Sequence, residues 1–253
     1  MSVEACAALV ERGDPDRFRA VMAAPVAVRG RLFVLYAYNL ELARAPWVTK
    51  EPMIAEMRLQ WWRDLVAETA LRAHEVAGPL QGLIREAGLP VVVLEAMGAA
   101  RLWDIHADPF EDQAAMDAYL EDTAAGLMWL AARALGASDA AEPVARGQGW
   151  AAGLANYLRA VPELEARGKR PLVDGRREAV RDLAARGLER LAKARQGRRV
   201  LGQAAPALLA GWQAEGLLRQ VVAEPGRVAD GNMGLSEFSI RGRLLWQATT
   251  GRW

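Results

Sequence analysis

The chain has 253 residues, is 52% hydrophobic and 25% charged, and carries a net charge of +1. That balance suits a globular protein with a sizeable core and offers no whole-molecule argument for a nucleic-acid or acidic partner. Cys6 is the one cysteine, which rules out an intrachain disulfide and fits a reducing compartment.

The opening segment, MSVEACAALVERGDPD, is acidic and has no long apolar run, so it reads neither as a secretory signal nor as an Arg-rich transit peptide. Asp14-Pro15-Asp16 is a helix start, with a cap, a proline in the first turn and an acid that favours the dipole. That helix carries Phe18, Val21 and Met22 and ends at Ala24-Pro25. The next runs from Val28 to about Ala45. Pro52 opens a third, to about Ala70. Leu71–Glu86 is amphipathic and closed by Gly88 and Pro90. Leu89–His106 reads as one buried helix with a β-branched first turn. Asp108-Pro109 starts another, and Met116–Leu135 continues the apolar pattern. Gly136 to Asp139 forms a turn and a cap. Ala140 to Ala166 is a long helix holding Gly147, Gly149 and Gly153, which points to close helix approach or to room for a ligand. After the loop Gly168–Leu172, Asp174 caps a charged helix, Arg176–Gly197. Pro206–Glu224 and a short tail helix within Met233–Trp253 complete the chain, with Leu244, Leu245 and Trp246 expected on the inner side of the tail. No window approaches the ~20 apolar residues that span a bilayer. Without a linker, repeat or composition shift, residues 1–253 read as one all-α domain, expected in the cytoplasm.

Arginine dominates the cations, since only Lys50, Lys169 and Lys193 are lysine. Abundant alanine and glycine make composition bias the plain explanation. Leu35–Arg63 stands out more. Tyr36, Asn39, Ala43 and Trp47 share one helical face. Glu56, Arg58, Gln60 and Arg63 set polar groups beside Trp61-Trp62, and tryptophan normally anchors packing. The residues alone read as two core helices with a decorated edge. His74 and His106 stand apart and read as surface or cap-adjacent residues. There is no His-Glu-x-x-His, no Gly-x-Ser-x-Gly and no strand to carry a dinucleotide loop. The acids Glu51, Glu56, Glu111, Asp112, Glu121, Asp122, Glu163 and Glu165 form no inward Asp-x-x-x-Asp set for Mg²⁺.

Four segments, in order, resemble the squalene/phytoene synthase family. They are Leu35-Tyr-Ala-Tyr38, Arg58-Leu-Gln-Trp-Trp-Arg63, Tyr119-Leu-Glu-Asp-Thr-Ala-Ala-Gly-Leu-Met128 and Gly147–Leu172. The resemblance implies a single-domain, all-α, isoprenoid-synthase-type helical bundle around a central cavity. It also implies head-to-head condensation of prenyl diphosphates, with Mg²⁺ held by two Asp-rich helices. Metal and cations there neutralise the leaving diphosphate. This chain departs at those helices. The acidic positions of the first motif fall on Ala43, Arg44 and Trp47. The second reads Asn156-Tyr-Leu-Arg159-Ala160-Val-Pro-Glu163-Leu164 and keeps only Glu163. Such a set does not hold three divalent ions, although Glu41 and Glu163 together could hold one weakly.

The wording around LYAYNLELAR resembles most the non-catalytic branch that includes a mitochondrial complex I assembly factor. That implies a pseudo-enzyme with no catalytic residue, resident metal or cofactor. Its implied role is to assist assembly of a respiratory complex through a protein partner, or to hold a prenyl-type lipid. Two alternatives stay open. One is an active prenyltransferase with an altered site, using Mg²⁺ and setting Arg44, Arg58, Arg63 and Arg159 on a prenyl diphosphate. The other is a plain scaffold whose cavity is filled by side chains such as Trp47, Tyr157 and Leu164. The candidate ligand-binding residues are Tyr36, Asn39, Glu41, Arg44, Arg63, Asn156, Arg159 and Glu163. At the tail, Arg241-Gly-Arg243-Leu-Leu-Trp246 and Arg252-Trp253 suit a peripheral membrane surface or a partner groove, or a packed terminal helix with a solvated basic edge.

Overall fold

The structure, a computed structural model, describes residues 3–252. Among them every regular element is helical. A helix not anticipated from the sequence, α1 (Val3–Gly13), opens the chain and packs against α3 (Val26–Arg44). Between them α2 (Pro15–Ala23) starts as expected: the Asp14 carboxylate accepts from the Arg17 backbone N–H at 2.9 Å. From Leu32 to Leu40 every residue of α3 is buried. A helix that is apolar all round belongs at the centre of a bundle, and α1, α2, α5 (Ala77–Ala87) and α8 (Gly126–Ala134) pack around it. The remaining helices are α4 (Pro52–Ala67), α6 (Val91–Ala100), α7 (Gln113–Leu120), α9 (Glu142–Ala166), α10 (Arg177–Gln196), α11 (Ala214–Ala223), α12 (Gly226–Ala229) and α13 (Glu237–Thr250). One hydrophobic core runs through the bundle from Cys6 to Met233.

Several boundaries differ from the sequence reading, and each difference has a local cause. The Leu71–Glu86 helix begins only at Ala77. Buried Gln81 accepts from the Arg72 N–H at 2.8 Å and donates to the Ala70 and Leu65 carbonyls at 2.8 and 3.2 Å, which holds the preceding segment as a loop. His74 Nδ1 accepts from the N–H groups of Val76 and Ala77, so this histidine is cap-adjacent as expected. The helix expected over Leu89–His106 stops at Ala100 and tightens into a 3-10 turn, Arg101–Asp104. Asp108-Pro109 starts no helix. The Asp112 carboxylate, accepting from the Ala115 N–H at 2.8 Å, places the start at Gln113. Asp174 does not cap α10, because its carboxylate is occupied by the backbone N–H and guanidinium of Arg176.

The Pro206–Glu224 helix is split. Residues Arg198–Gly211 wind as 3-10 turns, broken at Gly202 with φ +49°, before α11 begins. In the tail, α13 packs through Ile240, Arg243, Leu244 and Gln247. Leu245 and Trp246, one position further round, are 66% and 50% exposed, contrary to the inward expectation. Trp253 lies outside the described residues.

The glycines of α9 settle as close approach. A Cβ on Gly153 would lie 2.4 Å from the Ala124 Cβ, and one on Gly149 would lie 2.8 Å from the Ala125 Cα. Their neighbour is a π-helical turn, Glu121–Ala125, between α7 and α8. Such wide turns recur where a helix must reshape around a site. Here the turn, α3 and α9 enclose an opening in the bundle.

Candidate functional site

That opening is a cavity of about 610 Å³. This is the size of a small-molecule site, which spans ~300–1,000 Å³. Its walls come from the α1–α2 junction, the C-terminal half of α3, the 3-10 turn at Arg101–Asp104, the π-helical turn, α9 and the start of α11. Side chains do not fill it, even though Trp47, Tyr157 and Leu164 stand in its lining.

Three arginines and three aspartates line the cavity, and each arginine is paired. The Arg17 guanidinium donates to the Asp14 carboxylate and lies 5.6 Å from the Tyr36 ring centre. Arg159 donates to Asp16 at 3.1 and 3.2 Å and to the Asn156 side-chain oxygen at 3.2 Å. Arg101 donates to Asp104 at 2.9 Å and to the Tyr119 hydroxyl at 2.7 Å, and that hydroxyl donates to Asp104 at 3.0 Å. The 3-10 winding makes this triad, because side chains three apart eclipse there. Burial first, then the Asp104 charge, push the Tyr119 phenol far above its ordinary range, so it stays a neutral donor. Beside the triad, Trp103 stacks on Phe110 at 4.0 Å, and Tyr119 and Tyr157 pack near their rings. Buried Lys169 donates to the carbonyls of Trp103 and His106, and burial lowers its pKa.

Of the residues expected to bind ligand, Asn39, Asn156 and Arg159 meet at this cavity. Tyr36 lines a small annex with Arg17, Gly149 and Gly153. Four lie outside the lining. Glu41 and Arg44 pair with each other at 3.4 Å, and Glu163 is held by Arg167 at 2.6 Å. Arg63 donates to Gln60 at 2.9 Å, with its stem against Gly98. With Arg44 and Arg58 exposed and Arg63 committed to Gln60, the arginine cluster expected for an altered transferase does not assemble. Sequence reasoning missed Asp16, Arg17, Arg101, Asp104 and Gln213. The Asp14–Arg17 run was visible only as a helix cap, and the three-residue spacing of Arg101 and Asp104 carries no signal without the 3-10 turn.

The donor set does not fit Mg²⁺. Ala43, Trp47, Ala160 and Leu164, which stand at acidic positions of the two resembling motifs, line the cavity. Glu163, the one acid retained, is turned out onto Arg167. The three aspartates present are each engaged by an arginine, whereas Mg²⁺ needs free oxygens in near-octahedral geometry. Among the described residues no group of three or more His, Cys, Asp or Glu side chains is placed to hold a metal.

A sequence profile described as squalene/phytoene synthase matches residues 10–173. Among curated relatives, the NADH dehydrogenase (ubiquinone) complex I, assembly factor 6 homolog of Drosophila melanogaster is 29% identical over 179 residues. The match covers 66% of this chain and 53% of that protein. The Homo sapiens assembly factor 6 is 27% identical over 168 residues, covering 65% and 50%. The chain thus spans about half the length of the curated relatives it matches. Among solved structures, a dehydrosqualene synthase in complex with ligand superposes with a TM-score of 0.76 at 13% identity, covering 98% of this chain and 95% of that one. The squalene synthase HpnC from Alicyclobacillus acidocaldarius gives a TM-score of 0.65 at 16% identity, covering 98% and 94%. At these identities the likeness is one of fold, the all-α isoprenoid-synthase bundle.

Proposed function

This chain belongs to the squalene/phytoene synthase family, and we propose that it is a non-catalytic member acting in the assembly of respiratory complex I. In this reading its cavity holds a prenyl-type lipid without turning it over. The assembly role comes from the names of its relatives. The loss of catalysis rests on one observation: Ala43, Trp47, Ala160 and Leu164 line the cavity where the family's acidic motifs would place metal ligands. A diphosphate leaves a prenyl carbon only as its developing charge is neutralised. Here the three cavity arginines are already neutralised by Asp14, Asp16 and Asp104. What remains is a pocket that binds and orients.

The reading treats residues 1–253 as one domain, in keeping with the continuous core. It places the protein in the cytoplasm, peripheral at the inner membrane face where a membrane complex is built. Among the described residues no helix is long and apolar enough to cross a membrane. The membrane contact is assigned to α13, where Phe238, Arg241, Leu245 and Trp246 are exposed.

Deleting the gene in its own organism tests the assembly role. Native gels stained for NADH dehydrogenase activity should show complex I depleted, and the wild-type chain should restore it. Unchanged complex I overturns that role. The purified protein should release no diphosphate from farnesyl or geranylgeranyl diphosphate with Mg²⁺. Metal-dependent release would overturn the non-catalytic reading.

A further inference from the structure

We infer that the cavity selects a neutral lipid head, a hydroxyl or carbonyl oxygen on a prenyl-type chain, and that Asn39 and Gln213 are the residues that recognise it. The inference rests on the proposal that the cavity holds such a lipid and specifies its chemistry.

Two observations carry it independently. The first is charge. The cavity's formal charges balance, and each arginine already donates to an aspartate of the cavity lining. A diphosphate arriving here would meet three carboxylates and would have to pull an arginine from its partner. Breaking a paired, partly desolvated charge costs more than an exposed pair returns. A neutral head meets no such opposition.

The second is a pair of amides. Asn39, in the middle of α3, is 5% exposed, and Gln213, at the start of α11, is 8% exposed; both line the cavity. Neither side chain has a hydrogen-bond partner among the described residues, and Gln213 makes no capping bond although it occupies the cap position. Their polar atoms face the cavity and not the packed core, so each amide is left to water or to a ligand for its hydrogen bonds. Each amide presents both a donor and an acceptor. A hydroxyl is matched to that pairing, since it donates and accepts at once. A carbonyl takes the N–H groups alone. The alanines of the α9 wall, Ala152, Ala155 and Ala160, leave room for an isoprenoid chain.

Tryptophan fluorescence titration is direct here, because Trp47 lines the cavity. The full chain would be titrated with geranylgeraniol, geranylgeranyl diphosphate with and without Mg²⁺, and phytane, which lacks the hydroxyl. The same ligands would be followed by thermal shift, since binding to the folded state raises the melting temperature. Geranylgeraniol should bind most tightly. Asn39→Leu and Gln213→Met should each weaken it by roughly tenfold, the size of one lost buried hydrogen bond, and leave phytane unchanged. The free variants should melt close to the wild-type temperature, because neither amide makes a hydrogen bond within the protein that its loss would break. A purely structural amide would instead lower it.

If phytane matches geranylgeraniol, or the variants bind the alcohol as wild type does, head recognition is wrong while the lipid pocket stands. Tighter binding of the diphosphate overturns the neutral-head inference. If no ligand moves either signal, the lipid-holding reading falls with it.

Discussion

Gly153 shows how tightly single residues constrain this bundle. Its missing side chain lets α9 cross the π-helical turn, and a Cβ would overlap Ala124 at 2.4 Å. Overpacking a rigid contact costs ~1–3 kcal/mol. Gly153→Ala should lower the melting temperature by several degrees, at ~2–4 °C per kcal/mol for a domain of this size. Gly82→Ala is the control. That glycine is exposed within α5 with nothing inside 4 Å of the added atom, so the change should stabilise by ~0.5–1 kcal/mol. Cys6 gives a second residue-scale prediction. It is fully buried, and burial first, then the Glu75 charge, push its thiol up to about 11 from 9.0. A group whose folded pKa is raised contributes its full share below the unfolded pKa and loses it as pH rises through the folded one. Stability should therefore decline between about pH 9 and about pH 11. Iodoacetamide at near-neutral pH should modify Cys6 only after unfolding.

Between residues and the whole lie the elements, and here buried polar groups hold what helix propensity does not. The 3-10 turn Arg101–Asp104 is tied to α7 through Tyr119. Burial works against the Arg101 charge, but Tyr119 and Asp104 outweigh it and hold the guanidinium firmly protonated. Asp104→Ala strands that cation and should cost ~3–5 kcal/mol in urea unfolding. Tyr119→Phe removes a neutral partner from a pair that persists and should cost ~1–2 kcal/mol. The segment ahead of α5 depends likewise on Gln81, whose amide reaches three backbone groups. In Gln81→Leu, trypsin should cut after Arg72 faster than in the wild type while the overall helix content is kept. Equal cutting would show that other contacts hold the loop.

The N-terminal half of the molecule is arranged around α3, and the C-terminal helix α13 adds least to the core. The continuous core ends at Met233, and α13 adds one buried side chain, Gln247, whose amide donates to the Trp212 carbonyl at 3.3 Å. A chain ending at residue 235 should keep its helical circular dichroism and melt only a few degrees lower. It should also lose co-sedimentation with anionic vesicles if α13 makes the membrane contact. Equal sedimentation of both forms would move that contact elsewhere.

Much of this was legible in the amino-acid order. Proline, glycine and aspartate punctuate the chain wherever a local rule suffices, so α2, α4, α9 and α10 begin or end close to where those residues stand. The four motif segments carried the family, and the lack of acids at Ala43, Trp47, Ala160 and Leu164 carried the proposal that its metal chemistry is lost, since Mg²⁺ needs oxygen ligands. Asn39, Asn156 and Arg159 line the cavity, on helices that the motif segments already implicated. The tertiary structure decided the rest. Glu41, Arg44, Arg63 and Glu163 lie outside the cavity because each meets a nearer partner of its own. Asp16, Arg101, Asp104 and Gln213 enter it because a 3-10 turn and two helix starts carry them there. Helical spacing fixes which residues share a face, but only packing between distant segments fixes what that face encloses and which charges it leaves paired.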